Sequence, residues 1–142
     1  GMLAIADDSG LEVDYLGGAP GVRSARYAGE AGNDAANRER LLAELEGVPP
    51  ERRTARFRCV VALASPEGLI AWEEGVCEGS IATKPAGTFG FGYDPVFLLP
   101  DGRTMAELPP DEKNTISHRA RAYQAIRPAL IQALEDAKAR VS

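Results

Sequence analysis

The feature that most constrains the fold of this chain is a short apolar run that ends in two adjacent carboxylates. The run spans Leu3 to Ala6, and Asp7, Asp8, Ser9 and Gly10 follow at once. An apolar run of this length predicts a buried strand, and the polar residues with glycine predict the tight turn that ends it. Paired carboxylates at such a strand end can hold Mg²⁺ and leave room for waters and phosphates. The alternative is a structural turn, in which the aspartates satisfy nearby backbone N–H groups.

The residues after this stretch predict a second strand and a helix. Residues 11–16 alternate apolar and polar side chains, which is typical of a half-buried strand. Asn33 or Asp34 can cap a helix that runs to about Glu46 and carries one apolar stripe. We interpret this helix as scaffold.

A β-hairpin and a long terminal helix complete the pattern. Residues 56–63 alternate in polarity, and residues 69–78 return as a second strand after a turn that contains proline and glycine. Ser117 can cap a last helix that runs towards Arg140, because apolar residues recur there every three or four positions. Pro128 lies inside this helix, and we expect it to kink the helix or split it in two.

Composition places the chain in an ordinary globular class. Its 142 residues are 44% hydrophobic and 26% charged, which fits a single domain over residues 1–142. The net charge of −5 makes nucleic acid a poor partner, and no stretch resembles a signal peptide or a membrane span. Cys59 and Cys77 form neither a metal-spaced cluster nor a disulfide framework. We therefore expect free thiols and a cytoplasmic location.

A second candidate site combines glycines with aromatic residues. Phe89, Phe91 and Tyr93 alternate with Gly90 and Gly92. The glycines let the backbone bend, while the flat rings stay available to stack on a base. The alternative is a core turn that is filled by the rings.

A third candidate group lies around the start of the last helix. Lys113, His118 and Arg119 come just before the first turn of that helix or within it. Because the N-terminus of a helix attracts anions, these residues favour contact with a base or a phosphate. A lone histidine is usually structural, but its position between the capping Ser117 and an arginine favours ligand contact.

These three blocks together resemble the Ham1/inosine triphosphate pyrophosphatase family. The matching stretches are residues 6–29, 90–97 and 113–119, in this order. The resemblance implies an α/β fold in which a mixed twisted sheet is flanked by helices. It also implies a Mg²⁺-dependent nucleoside-triphosphate pyrophosphatase that converts ITP, dITP or XTP to the monophosphate and pyrophosphate.

The resemblance further implies roles for individual residues. Asp8 corresponds to the general base that deprotonates a water and contacts Mg²⁺, and Asp7 supports the metal or the turn. The residues that would contact the purine nucleoside triphosphate are Ser9, Phe91, Gly92, Tyr93, Asp94, Lys113, His118 and Arg119.

One part of the family pattern has no counterpart in this sequence. Family members begin with a strand, a phosphate-binding loop that carries a lysine, and a helix that supplies a metal-binding glutamate. Without this strand-loop-helix we expect an unpaired sheet edge and an uncovered apolar face, which favour a homodimer. The alternative function is a catalytically impaired remnant that binds nucleotides or forms oligomers.

Overall fold

The fold is built on one five-stranded sheet. The computed structural model describes residues 2–29 and 33–141, the last two without their side chains. The strands lie in the order β2-β1-β3-β4-β5, and each neighbouring pair is antiparallel. Their bounds are β1 Ala4–Val13, β2 Pro20–Gly21, β3 Thr54–Ser65, β4 Gly68–Ile81 and β5 Phe97–Leu98.

Three helices accompany the sheet. They are α1 Asp34–Glu44, α2 Pro110–Ile116 and α3 His118–Val141. The predicted α/β class is confirmed, but the sheet of the described residues is antiparallel throughout rather than mixed. The difference arises because β3 and β4 form a hairpin, and the one helix that connects two described strands, α1, joins β2 to β3, which are not neighbours in the sheet.

The first strand differs from its prediction in two ways. Asp7 and Asp8 do not begin a turn, because β1 continues through them to Val13 and pairs with β3 along its whole length. This backbone pairing outweighs the turn preference of an Asp-Asp-Ser-Gly stretch. The apolar run is also not buried, since Ala4 to Ala6 are exposed and 40% of the surface of Ile5 is accessible to solvent. Among the described strands, β1 has a neighbour on its outer side only at Leu11 and Glu12.

The predicted hairpin is confirmed, and it provides the core face of the sheet. Alternate residues of β3, from Ala55 to Leu63, are buried on one face. The first part of that face packs with Leu41 and Leu45 of α1, and the second part packs with Ala122 and Ile126 of α3. Both helices therefore cover the same face of β3, one beside the other.

Two predicted helix caps are also confirmed. Asn33 accepts a hydrogen bond from the amide of Ala36 at the start of α1. Ser117 Oγ accepts one from the amide of Ala120 at 3.1 Å, directly before α3. Pro128 does not split the last helix, which is continuous from His118 to Val141. In the described part of the chain, no helix combines the length and the apolar character that crossing a membrane requires.

Candidate functional site

The candidate site is a cleft of about 890 Å³ between β1, the loop of residues 89–94 and the junction of α2 with α3. We call residues 89–94 the aromatic loop. The cleft lies where the α1 and α3 parts of the core meet, and Phe57 of β3 contributes to its lining. It brings together every residue of the predicted site, namely Asp7, Asp8, Ser9, Phe91, Gly92, Tyr93, Asp94, Lys113, His118 and Arg119.

Asp7 is held by the first two turns of α3. Successive residues of a strand face opposite sides, and Asp7 pairs with Val61, whose side chain is buried beneath α3. The Tyr123 hydroxyl donates a hydrogen bond to Asp7 Oδ2. Arg119 Nη2 lies 3.7 Å from Asp7 Oδ1. Tyr123 is a cleft residue that the sequence analysis missed, because its position in the helical stripe indicated packing only.

Asp8 is in a different environment from its neighbour. It pairs with the half-exposed Val60 and lies on the other side of β1. Its carboxylate makes no hydrogen bond or ion pair with the residues that the structure describes. Because β1 is at the edge of the described sheet here, the cleft reaches both aspartates. Asp8 is therefore available to a ligand, a water or a metal ion.

Two buried polar atoms in the cleft lack a partner among the described residues, Ser9 Oγ and His118 Nδ1. The His118 ring stacks on Phe57, with 4.8 Å between the ring centroids. Burial, and then the charges of Arg119 and Lys113, lower the pKa of His118 to about 4. The ring is therefore neutral at pH 7. A buried polar atom without a partner costs free energy unless a ligand or a water satisfies it, so both atoms favour a polar ligand.

The aromatic loop is held together by Asp94. Its carboxylate accepts the amide of Phe91 at 3.1 Å and lies 2.6 Å from Lys113 Nζ. The same ammonium lies 4.8 Å from the centre of the Phe91 ring, in a cation–π arrangement. Gly90 is required here, because its φ is +79° and a Cβ would lie 2.1 Å from the Asp94 carboxylate.

The hydroxyl of Tyr93 connects the aromatic loop to the segment that contains Ser24. It donates a 2.6 Å hydrogen bond to the carbonyl of Ser24, and burial raises the pKa of Tyr93. The Ser24 hydroxyl in turn accepts the amide of Leu11 at 2.9 Å. Phe89 and Phe91 are left 46% and 66% exposed, so their rings are accessible to a ligand.

Helix α1 also contributes to the site, although the sequence analysis interpreted it as scaffold. Asp34 and Asn37 line the cleft. Asp34 Oδ2 accepts the amide of Gly92 at 3.0 Å, and Arg38 Nη1 donates to the carbonyl of Gly92 at 2.8 Å. Asn37 and Arg38 follow Asp34 by three and four positions, which puts the three polar side chains on one helix face. This spacing is the sequence signal that could have identified them.

The carboxylates of the cleft are candidate ligands for a divalent cation. The described residues contain no cluster of three or more His, Cys, Asp or Glu side chains that could hold a metal. Mg²⁺, however, is usually bound by one or two carboxylates, while substrate phosphates and waters complete its shell. Asp8, with a free carboxylate, and Asp7 beside it fit that mode of binding. The cleft as a whole suits a flat, anionic ligand.

The chain belongs to the Ham1 family, whose model matches residues 1–129. A dITP/XTP pyrophosphatase of Shouchella clausii is 58% identical over 129 residues, which are 90% of this chain and 65% of that protein. One of Geobacillus kaustophilus is 65% identical over 119 residues, or 83% of this chain and 58% of that protein. The resemblance inferred from the three sequence blocks is confirmed.

Solved structures agree with this membership. A HAM1 protein from Coxiella burnetii superposes with a TM-score of 0.85 at 45% identity, over 92% of this chain and 68% of that one. A nucleoside-triphosphatase / dITP/XTP pyrophosphatase from Mycobacterium abscessus gives a TM-score of 0.78 at 53% identity, over 91% of this chain and 66% of that one. The chain thus spans between 58% and 68% of the length of these relatives.

Proposed function

We propose that this chain carries the catalytic carboxylates and the base-binding pocket of a pyrophosphatase that acts on dITP, XTP and ITP. The observation that carries the proposal is the cleft itself. It joins the free carboxylate of Asp8 to the aromatic loop and to Lys113, His118 and Arg119. Relatives named dITP/XTP pyrophosphatase, at 58% and 65% identity, support this choice of substrate.

In this proposal Asp8 acts as the general base. Its carboxylate takes a proton from a water, whose oxygen attacks the α-phosphorus of the bound nucleotide. The bond between the α-phosphorus and the oxygen that bridges to the β-phosphate breaks, and pyrophosphate leaves. Asp7 does not share this role, because Tyr123 and Arg119 already engage both of its oxygens. It supports the strand on which Asp8 lies.

Mg²⁺ is the proposed cofactor, with Asp8 as its main protein ligand. Asp7 would be a supporting ligand, because an ionised carboxylate has further lone pairs beside those that Tyr123 and Arg119 engage. When bound, the ion would neutralise charge on the phosphates and on the leaving pyrophosphate. Arg119 supplies positive charge beside Asp7, 3.7 Å from its carboxylate. Positive charge that is positioned beside the phosphates in advance stabilises the charge that develops on the leaving pyrophosphate.

The base-binding side distinguishes a 6-keto from a 6-amino purine in this proposal. Phe91 stacks on the base, while Ser9, Lys113 and the neutral His118 hydrogen-bond to its edge. A pocket that donates hydrogen bonds to a keto oxygen leaves those donors unpaired against an amino group, and this penalty is the basis of selectivity. The unpartnered Ser9 Oγ and His118 Nδ1 support this assignment.

A homodimer and a cytoplasmic location are also part of the proposal. The outer edge of β1 from Ala4 to Gly10 has no partner strand among the described residues. Trp72 and Leu69 of β4 are 58% and 64% exposed. A second copy that covered both features would bury apolar area and pair backbone groups. Cys59 and Cys77 are free, which fits a reducing compartment.

The direct test is the release of pyrophosphate by this chain, with dITP, XTP, dATP and dGTP as substrates in Mg²⁺. We expect release from dITP and XTP, none above background with EDTA, and at least roughly tenfold slower release from the two natural nucleotides. Equal rates on dITP and dATP would contradict the proposed selectivity. Tight binding of dIMP without any release of pyrophosphate from dITP would contradict an enzymatic function and favour the alternative, a remnant that only binds nucleotides.

A further inference from the structure

The tip of the aromatic loop is not held by the loop itself. Phe91 and Asp94 close the turn from within, because the Phe91 amide reaches the Asp94 carboxylate and the Asp94 amide reaches the Phe91 carbonyl, both at 3.1 Å. Gly92 lies between them in the left-handed region, at φ +60°. Its N–H and C=O point away from the turn and need partners elsewhere.

Helix α1 supplies both partners. Asp34 accepts the Gly92 amide at 3.0 Å, and Arg38, one helical turn later, donates to the Gly92 carbonyl at 2.8 Å. These residues are 58 and 54 positions distant from Gly92 in the sequence. Both bonds involve an ionised side chain, and such bonds are stronger than those between neutral groups.

The same helix face also holds residues 25–28, the segment that follows Ser24. Asn37, which is almost fully buried, accepts the amide of Ala28 at 2.8 Å and donates to the carbonyl of Ala25 at 3.1 Å. Below these polar residues, Leu41 of the same face anchors the helix in the core. The polar part of α1 is therefore rigidly placed relative to the sheet that carries Asp8.

From this geometry we infer that Asp34 and Arg38 are positioning residues for base recognition, acting as a two-point clamp on the Gly92 peptide. The clamp fixes the directions of Phe91 and Tyr93, which flank Gly92, and of the Lys113 ammonium that lies on the Phe91 ring. It works through the loop and does not touch the reacting phosphates. The inference rests on the proposed function, since it takes the aromatic loop as the base-binding element.

The test compares Asp34→Ala with Asp34→Asn. Alanine removes the acceptor for the Gly92 amide, whereas asparagine keeps an oxygen at the same position. Both remove the negative charge that favours the first turn of a helix, so a role in helix stability alone would weaken both variants equally. Arg38→Met removes the other half of the clamp. Glu39→Gln is the matched control, because Glu39 is exposed on the same helix.

The first readout needs no ligand. Amide hydrogen exchange at Gly92 should be roughly tenfold faster in Asp34→Ala than in the parent, as expected for the loss of one charge-assisted hydrogen bond. It should stay near the parent rate in Asp34→Asn and in the control. Unchanged exchange in Asp34→Ala, or equal acceleration in the alanine and asparagine variants, would overturn the clamp.

The second readout is the Kd for dIMP, measured by calorimetry. Asp34→Ala and Arg38→Met should each raise it by roughly three- to tenfold, while Asp34→Asn and the control remain close to the parent. Faster exchange at Gly92 with an unchanged Kd would overturn the role in recognition. A parent chain that does not bind dIMP would refute the proposed function, while the exchange experiment would still decide whether the clamp exists.

Discussion

The two sides of the cleft are built differently. On the aromatic side, Asp94 holds the Phe91 amide and Lys113, and α1 holds both polar groups of Gly92. On the β1 side, Asp8 makes no hydrogen bond or ion pair with any described residue. The aromatic loop is therefore held in place by other described residues, whereas the carboxylate of Asp8 is free.

This contrast matches the two tasks of the proposed pyrophosphatase activity. Recognition of a base requires groups fixed in advance, because ordering them on binding would reduce affinity. Attack on a phosphate requires a carboxylate that is free to take a proton and to approach a metal ion. The aromatic side suits the first task and the β1 side suits the second. Variants should accordingly affect either binding or turnover.

The largest expected effect is on turnover alone. Asp8→Asn should reduce pyrophosphate release from dITP by roughly 10²-fold or more, because it removes the proposed general base. The Kd for dIMP should not change, since Asp8 lies on the other side of the cleft. Single-turnover rates and calorimetry measure the two quantities separately. Turnover within a few-fold of the parent would refute the role of Asp8.

The next effect should fall on the aromatic side. Lys113→Met leaves the Asp94 carboxylate, which is 5% exposed, without its cation. Loss of one partner of such a pair should lower the free energy of unfolding by about 2 kcal/mol and weaken dIMP binding by roughly tenfold. Lys84→Met, in an exposed loop, is the control for loss of a lysine charge. Equal effects of both variants would show that Lys113 has no specific role in holding Asp94 and binding dIMP.

A smaller effect is expected where α3 supports β1. Tyr123→Phe removes the hydroxyl that donates to Asp7. It should lower kcat by roughly two- to fivefold, the size expected for one partly exposed hydrogen bond, and leave the Kd for dIMP unchanged. Tyr15→Phe is the matched control, because Tyr15 is 53% exposed and does not line the cleft. A change in Kd without a change in kcat would show that Tyr123 contributes to base recognition and not to turnover.

The remaining prediction, whose effect is smallest at pH 7 and grows on acidification, concerns His118. Its pKa is lowered from 6.5 to about 4 in the folded chain, mainly by burial. As the pH falls below about 6.5, the unfolded chain takes up a proton that the folded chain does not bind, so stability falls between pH 6.5 and pH 4. In urea unfolding at several pH values, the free energy of unfolding of His118→Gln should fall less steeply with decreasing pH than that of the parent, since the chain has one histidine. Identical slopes for both chains would contradict the burial of a neutral ring.

The sequence predicted the fold best where local signals agreed with the tertiary contacts. The β3–β4 hairpin and the caps at Asn33 and Ser117 follow from patterns that the core reinforces. The turn at Asp7 and Asp8 was wrong, because turn preference is local whereas pairing with β3 is not. No pattern within residues 3–10 carries information about a partner strand whose paired residues lie 48 to 60 positions away.

The candidate site was predictable in its members but not in its contacts. All ten residues chosen from the sequence line one cleft. The partner that holds Asp7 was missed, since Tyr123 occupies a position that an apolar stripe explains equally well. Asp34 and Arg38 were missed for a related reason, because a polar row on a helix usually faces solvent. Only the folded arrangement reveals that this row meets the tip of a loop.

The decisive measurement is the binding of dIMP and dAMP to the unmodified chain, by calorimetry without metal. All the proposed base-binding residues line the cleft, and they should recognise a 6-keto purine without the phosphate chemistry at Asp8. We expect dIMP to bind at least roughly tenfold more tightly than dAMP, the penalty expected for unpaired donors in the pocket. Equal affinities, or no detectable binding of dIMP at millimolar concentration, would contradict this expectation.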